Sequence, residues 1–163
     1  MTTLVSIAFI IYSVYMVSAL ARLRDFPISL SASHYAWNSK WQFPFMMISV
    51  ALLLLPVWIE LTPEQWQFLP FISCAGMCFV GCSAEYRDPG IVRTVHMTAA
   101  YIGSAAVVLC LIFVLGGFVT LLSSFIVHVT IGLLTRKFKE TYTYWLENCA
   151  IIALFIVLYK NLL

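Results

Sequence analysis

The most restrictive feature of this sequence is a stretch of 42 residues, Thr94 to Thr135, that contains no Asp, Glu, Lys or Arg. A helix needs roughly 20 mainly apolar residues to cross a bilayer, so the stretch is long enough for two crossings. Gly116 and Gly117 lie at its middle, and consecutive glycines are typical of a turn. The stretch therefore predicts two membrane-spanning helices, over about 93–115 and 118–135.

The remainder of the chain has the same apolar character. Of its 163 residues, 63% are hydrophobic and 10% are charged, whereas about 25% of the residues in a soluble domain carry charge. So little polar surface could not cover a soluble core of this size. We therefore predict one domain, 1–163, an all-α bundle of six membrane-spanning helices, of which the other four cover about 3–21, 43–59, 64–83 and 142–161.

The basic residues lie almost entirely on one side of these predicted helices. Eight of the nine Lys and Arg residues fall in the connections between helices one and two, three and four, and five and six, and only Lys160 falls on the other side. The positive-inside rule then predicts that these connections are cytoplasmic and that both termini lie outside. The expected location is a bacterial inner (plasma) membrane.

Polar side chains cluster where the chain is predicted to meet the cytoplasm. His96 lies near the start of helix four and Glu147 near the start of helix six, and ionisable groups at membrane depth are costly enough to suggest a function. The first connection adds Tyr35. We expect these three residues to line a site for a small molecule or lipid headgroup. Alternatively, these groups face interfacial water and pair with nearby Arg and Lys.

The histidines suggest two kinds of metal site. Imidazole and carboxylate groups are zinc ligands, so His34, His96 and Glu147 form a candidate ligand set, although a loop residue such as His34 is expected to be solvated. A haem between His96 and His128 is not expected. Counted from the glycine turn, the two histidines differ in depth by about 14 Å at a rise of about 1.5 Å per residue. The identity of any cofactor stays open.

Helix five carries a polar stripe. Thr120, Ser124 and His128 recur at intervals of four, so they share one helix face. The stripe either lines a polar pathway or forms hydrogen bonds between helices.

Two predicted helices each carry a row of small side chains on one face. Such faces let membrane helices approach closely, so we interpret both as packing surfaces. They are Cys74, Cys78 and Cys82 on helix three, and Ala99, Gly103 and Ala106 on helix four.

The order of several features resembles a known group of proteins. A Pro-x-Ser-x-Ser…Tyr loop precedes a basic residue, a Gly-containing helix and a helix that opens with His-x-x-Ala-Ala; these residues are Pro27, Ser29, Ser31, Tyr35, Lys40, Gly76, Gly81, His96, Ala99 and Ala100. Over about residues 20–105 the chain resembles small, largely uncharacterised multi-pass bacterial membrane proteins distantly related to GPI-anchor-remodelling factors. The resemblance implies a six-helix bundle with Ser, Tyr and His facing one another at one membrane face, but no particular activity. It thereby adds Ser29 and Ser31 to the expected ligand-binding residues, which become five. A weaker similarity to alkaline-ceramidase-type hydrolases lacks their paired-histidine motif on the last helix.

Three functions are consistent with these features. The first is binding or transport of a small molecule or lipid headgroup at the cytoplasmic face. The alternatives are an intramembrane metal-dependent lipid hydrolase and a structural subunit of a membrane assembly. Membrane lipids are the expected partners, with another membrane protein or a second copy under the structural hypothesis. A net charge of +2 without a dense Lys/Arg tract argues against nucleic acid.

Overall fold

The computed structural model describes residues 1–37, 40–87, 89–135 and 138–163. These residues are all-α, without a strand, and include two short 3-10 helices, Ser31–Ala36 and Glu64–Trp66. A π-helical segment, Cys110–Val114, continues the fourth helix towards the glycine pair. The α-helices are α1 (Thr2–Leu23), α2 (Gln42–Leu61), α3 (Phe68–Cys82), α4 (Ile91–Leu109), α5 (Phe118–Leu134) and α6 (Phe138–Leu162).

Four helices of the described chain are long and apolar enough to cross a membrane: α1, α2, α6, and α4 with its π-helical continuation. The chain is therefore a membrane protein. α5 is apolar but has only 17 residues, and α3 has 15. α3 begins at Phe68 rather than near residue 64, because Glu64–Trp66 forms a separate 3-10 turn.

The closest helix pairs follow the order α4, α3, α2, α1, α6 and α5. α4 packs against α3, α3 against α2, and α2 against α1, while α6 packs against both α1 and α5. α6 also contacts α2 and α4. α4 and α5 are joined through Gly116, whose φ of +62° is a conformation that glycine adopts without strain. α5 contacts this helix chiefly through its π-helical continuation, Cys110–Val114.

α1 and α6 are joined by polar contacts along their length. The Tyr12 hydroxyl donates to Asn148 Oδ1, and the Ser6 and Tyr159 hydroxyl oxygens lie 2.6 Å apart nearer the chain termini. The ring of Phe155 packs edge-on against Phe9, with centroids 5.2 Å apart. These contacts hold α6 antiparallel to α1 and bring its first turns to the loop end of the bundle, where the candidate residues lie.

α3 and α4 meet at two glycines. A Cβ atom on Gly76 would lie 2.9 Å from Gly103 Cα and 3.0 Å from the Ala99 carbonyl oxygen. No side chain larger than hydrogen fits that approach without moving a backbone. The predicted close packing at Gly103 is thus confirmed.

The connection between α1 and α2 folds back onto the bundle. Within its 3-10 helix, Ser31, Ala32, Ser33 and His34 are all buried. Ser33 Oγ lies 2.7 Å from the Tyr15 hydroxyl of α1. His34 is 1% exposed, so the expectation that it is solvated is wrong.

Candidate functional site

His96 is held at a fixed angle in the second turn of α4. The ring is 2% exposed, with Nδ1 2.9 Å from the Ser83 carbonyl oxygen at the end of α3 and Nε2 3.0 Å from Ser31 Oγ. Because a carbonyl oxygen can only accept, Nδ1 carries the proton of the neutral ring. In the neutral ring Nε2 is then the acceptor, and the Ser31 hydroxyl donates to it.

Tyr86 covers one face of the His96 ring. The two rings are stacked, with centroids 4.3 Å apart and planes inclined by 16°. The Tyr86 hydroxyl lies 3.5 Å from Ser29 Oγ. Tyr86 therefore links the imidazole to a second hydroxyl of the α1–α2 connection.

Tyr35 has a supporting position rather than the lining position that we predict for it. Its ring lies 6.0 Å from that of Tyr86, and it does not line the cavity described below. The Arg87 guanidinium stacks 3.9 Å from the centre of the Tyr35 ring. The backbone N–H of Arg87 donates to the Tyr35 hydroxyl at 3.2 Å. Tyr35 thus anchors the segment that carries Tyr86.

Glu147 ties α6 to the α1–α2 connection. Its Oε2 accepts a hydrogen bond of 2.6 Å from the N–H of Leu30, which is buried. Ser29 and Ser31 flank Leu30, so this bond sets both serines beside α6. The structure therefore brings together four of the five predicted ligand-binding residues, Ser29, Ser31, His96 and Glu147.

These four residues and Tyr86 form the polar end of a large cavity. The cavity has a volume of about 1020 Å³ and lies mainly between α4, α5 and α6, with α2 and α3 behind it. Beyond the polar end its walls are almost wholly apolar. Tyr101, Phe118 and Leu122 border it and are 69%, 54% and 47% exposed, so it opens to the outside of the bundle between α4 and α5.

The charges around the cavity are acidic. Among the described residues that line it, Glu140 and Glu147 are the carboxylates, and none is Lys or Arg. In the connections outside the cavity wall, Lys40 lies 2.9 Å from Glu85. The hydrogen bond and charge of Lys40 hold the pKa of Glu85 below its usual range. The polar end therefore offers hydroxyls, an imidazole and a carboxyl group, and its described residues include no cation that would form an anion site.

The proposed metal ligands are not gathered into one set. Both nitrogens of His96 are engaged by Ser83 and Ser31, and Glu147 bonds the backbone of Leu30. Across the described parts of the chain, no three His, Cys, Asp or Glu residues form a group that could hold a metal ion. The set of His34, His96 and Glu147 thus has no support in the geometry.

His34 has an unusual environment of its own. Its ring packs edge-on against those of Tyr35 and Phe43, with centroids 5.2 and 6.0 Å away. Neither ring nitrogen has a hydrogen-bond partner among the described residues. Burial lowers the pKa of His34, which outweighs the opposing effect of Glu85, so the ring is held neutral.

The polar stripe of α5 makes hydrogen bonds within and between helices. Ser124 Oγ donates to the Cys149 carbonyl oxygen of α6 at 3.0 Å, and His128 Nδ1 lies 2.7 Å from the Ser124 carbonyl oxygen. Together with Thr120 these residues border a smaller cavity of about 370 Å³. The Ser124 bond favours the packing interpretation. His128 and His96 contact different partners.

Two features of the site are missing from the sequence prediction. Tyr86 is the aromatic cover of His96, and the Ser83 carbonyl orients that ring. An aromatic residue in the polar connection just before the His-containing helix is the available signal for Tyr86. A backbone carbonyl leaves no signal in a sequence.

Comparison with known proteins places this chain in no family. No protein-family model matches it, and no curated protein or solved structure is significantly similar to it. The function therefore has to be argued from the geometry of the site.

Proposed function

We propose that this protein binds an amphipathic lipid, with its headgroup at Ser29, Ser31, Tyr86, His96 and Glu147 and its chain in the apolar part of the cavity. The observation that carries the proposal is the division of one cavity into a polar end and an apolar body. Its volume of about 1020 Å³ is at the upper end of the range of roughly 300–1,000 Å³ typical of small-molecule sites.

The lateral opening supports a ligand that arrives from the bilayer. Tyr101, Phe118 and Leu122 on the rim are exposed apolar or aromatic side chains, which are stable in contact with lipid chains. A water-soluble ligand would gain no favourable polar contacts on passing these side chains. A lipid could slide between α4 and α5 without leaving the apolar phase.

The polar end selects among headgroups. A phosphate would meet Glu140 and Glu147 without a described Lys or Arg on the cavity wall to balance it. Hydroxyl, ester or amine groups instead match the donors and acceptors of Ser29, Tyr86 and His96. We therefore propose a neutral or amine-bearing lipid as the ligand.

The proposal includes six membrane crossings with both termini outside, the polar end at the cytoplasmic face of a bacterial inner membrane. α3 and α5, at about 1.5 Å per residue, extend about 22 and 26 Å, slightly less than the roughly 30 Å hydrocarbon core. Local thinning of the bilayer accommodates such a mismatch at modest cost. The Lys40–Glu85 pair supports a common side for the two connections that it joins.

The test compares two matched substitutions on α4. Ala100 lines the cavity, whereas Ala105 is exposed and does not. We expect Ala100→Trp to fill the cavity and reduce the lipid that co-purifies in mild detergent, measured by mass spectrometry of the extracted lipids. Ala105→Trp should retain lipid as the wild type does.

The composition of the retained lipid tests the headgroup. We expect neutral or amine-bearing lipids to be enriched over their share of the membrane from which the protein is purified. Equal lipid content in wild type and both variants would contradict the proposal and favour the structural-subunit hypothesis. Enrichment of phosphatidate or free fatty acid would contradict the headgroup assignment.

A further inference from the structure

We propose that Ser31 and His96 act as nucleophile and general base in the hydrolysis of a long-chain carboxylic ester held in the cavity. This inference rests on the proposed lipid binding and extends it to chemistry. It differs from the metal-dependent hydrolase considered from the sequence, because the reacting groups here are a hydroxyl and an imidazole.

The geometry of the pair matches that of an activated serine. Ser31 Oγ lies 3.0 Å from His96 Nε2, within the range at which a base can take the hydroxyl proton. The Ser83 carbonyl, 2.9 Å from Nδ1, fixes the tautomer that leaves Nε2 free to accept that proton. In serine hydrolases generally, a third group orients the base in this way.

The surroundings of His96 favour the imidazolium that forms during the reaction. Ser83 lies at the C-terminal end of α3, where unpaired carbonyl groups carry partial negative charge. The face of the Tyr86 ring, 4.3 Å from the imidazole centroid, adds a cation–π contribution once the ring is charged. Both groups interact more strongly with the charged ring than with the neutral one.

The position of Ser31 relative to the cavity favours attack on a lipid ester. Ser31, Ser29 and Tyr86 all border the polar end. An acyl chain in the apolar body would bring its ester carbonyl to this end, where the Ser29 and Tyr86 hydroxyls are available donors for the developing oxyanion. Ser33 provides an internal contrast. It is fully buried, lies 2.7 Å from the Tyr15 hydroxyl and has no imidazole partner.

The reaction balances with water as the co-substrate. Ser31 Oγ attacks the ester carbonyl carbon while its proton passes to His96 Nε2. The ester C–O bond then breaks, and the same proton goes to the leaving alcohol oxygen, leaving an acylated Ser31. A water molecule attacks the acyl carbon and gives a proton to Nε2. The bond to Ser31 Oγ breaks, that oxygen regains the proton, and a carboxylic acid is released.

Covalent labelling tests the nucleophile directly. A fluorophosphonate with a long alkyl chain is added to the purified full-length protein in mild detergent. We expect the Ser31 Oγ–phosphorus bond to form as fluoride leaves, and peptide mass spectrometry of the wild type to locate the label on Ser31. Mapping the label on the wild-type protein does not depend on the folding of any variant.

Variants then separate the roles of the two residues. Ser31→Ala should lose both the label and the hydrolysis of para-nitrophenyl decanoate, whereas Ser33→Ala should keep both. His96→Gln should slow labelling of Ser31 by about 10²- to 10⁴-fold, the usual contribution of a general base. Helical circular dichroism and gel filtration establish that each variant is folded.

The possible outcomes distinguish this inference from the proposed function. Retained lipid in a wild type that neither takes the label nor hydrolyses the ester would overturn the inference and leave lipid binding in place. Label on another residue, or full ester hydrolysis by folded Ser31→Ala, would also overturn it. Label on Ser31 without retained lipid would support the reactive pair and contradict stable lipid binding.

Discussion

α4 contacts its two neighbours in opposite ways. Against α3, Gly103 and Gly76 bring the two backbones so close that a Cβ on Gly76 would lie 2.9 Å from Gly103 Cα. Towards α5, the side chains of Tyr101 and Leu122 border a cavity of about 1020 Å³. Because lipid is as apolar as the helices, apolar side chains alone do not draw membrane helices together. The glycines therefore close α4 against α3, whereas the side of α4 that faces α5 stays open to a ligand.

The α1–α2 connection shows the same division within four residues. Ser31 lies at the open side, where it donates to His96 and borders the cavity. Ser33 and His34 lie at the closed side, against Tyr15 and Phe43. Ser31, on the open side, therefore contacts a side chain that can act as a base. Ser33 and His34, on the closed side, pack the connection against α1 and α2.

The largest effect is expected from a bulky residue at the closed side of α4. A Cβ on Gly103 would lie 3.3 Å from Gly76 Cα, so Gly103→Leu requires the α3 backbone to shift, and overpacking of this kind costs about 1–3 kcal/mol or more. Ser104→Leu is the matched control, because Ser104 is exposed and borders the cavity, so its stability should stay within about 0.5 kcal/mol of wild type. The measurement is the unfolding midpoint in mild detergent, followed by helical circular dichroism. Equal losses in the two variants would contradict the contrast between the two sides.

A smaller effect is expected where α6 holds the connection over the open side. Glu147→Ala leaves the buried N–H of Leu30 without its acceptor, which costs about 1–3 kcal/mol. Glu147→Gln keeps an acceptor oxygen and should lose much less. Unfolding midpoints of the two variants, measured side by side, test this difference. If both lose the same stability, the carboxylate charge rather than the hydrogen bond to Leu30 is what matters.

Much of the helical framework and part of the site can be predicted from the sequence for simple physical reasons. Apolar runs of sufficient length indicate helices wherever they occur, and polar groups at the ends of such runs indicate a site. His96 and Glu147 are found in this way, and the family resemblance adds Ser29 and Ser31. The pattern of residues on a helix identifies shared faces but not the neighbour that each face meets.

The features that the sequence does not predict depend on tertiary contacts. A short connection through glycine suggests that α4 and α5 pack together, yet Gly76 and Gly103 draw α4 to α3 instead. His34 and Tyr35 are adjacent in a polar connection, but the fold buries His34 and places Tyr35 behind Tyr86. A hydropathy pattern does not predict that a connection folds back onto its own bundle.

The smallest effect concerns pH and the closed side of the connection. Burial lowers the pKa of His34, so in the acid range the unfolded chain binds a proton that the folded chain does not. Stability is then complete above the ordinary pKa of about 6.5 and falls as the pH drops below it towards the folded pKa.

His34→Phe keeps a ring among Tyr35 and Phe43 but cannot titrate. We therefore expect the wild type to lose more stability than His34→Phe between about pH 7 and about pH 5. The pKa of Glu85 is itself lowered by Lys40, so its contribution is lost only in more acidic solution and does not disturb this range. Unfolding midpoints of both proteins across the range provide the test, and parallel pH profiles would show that the His34 ring is accessible to protons in the folded state.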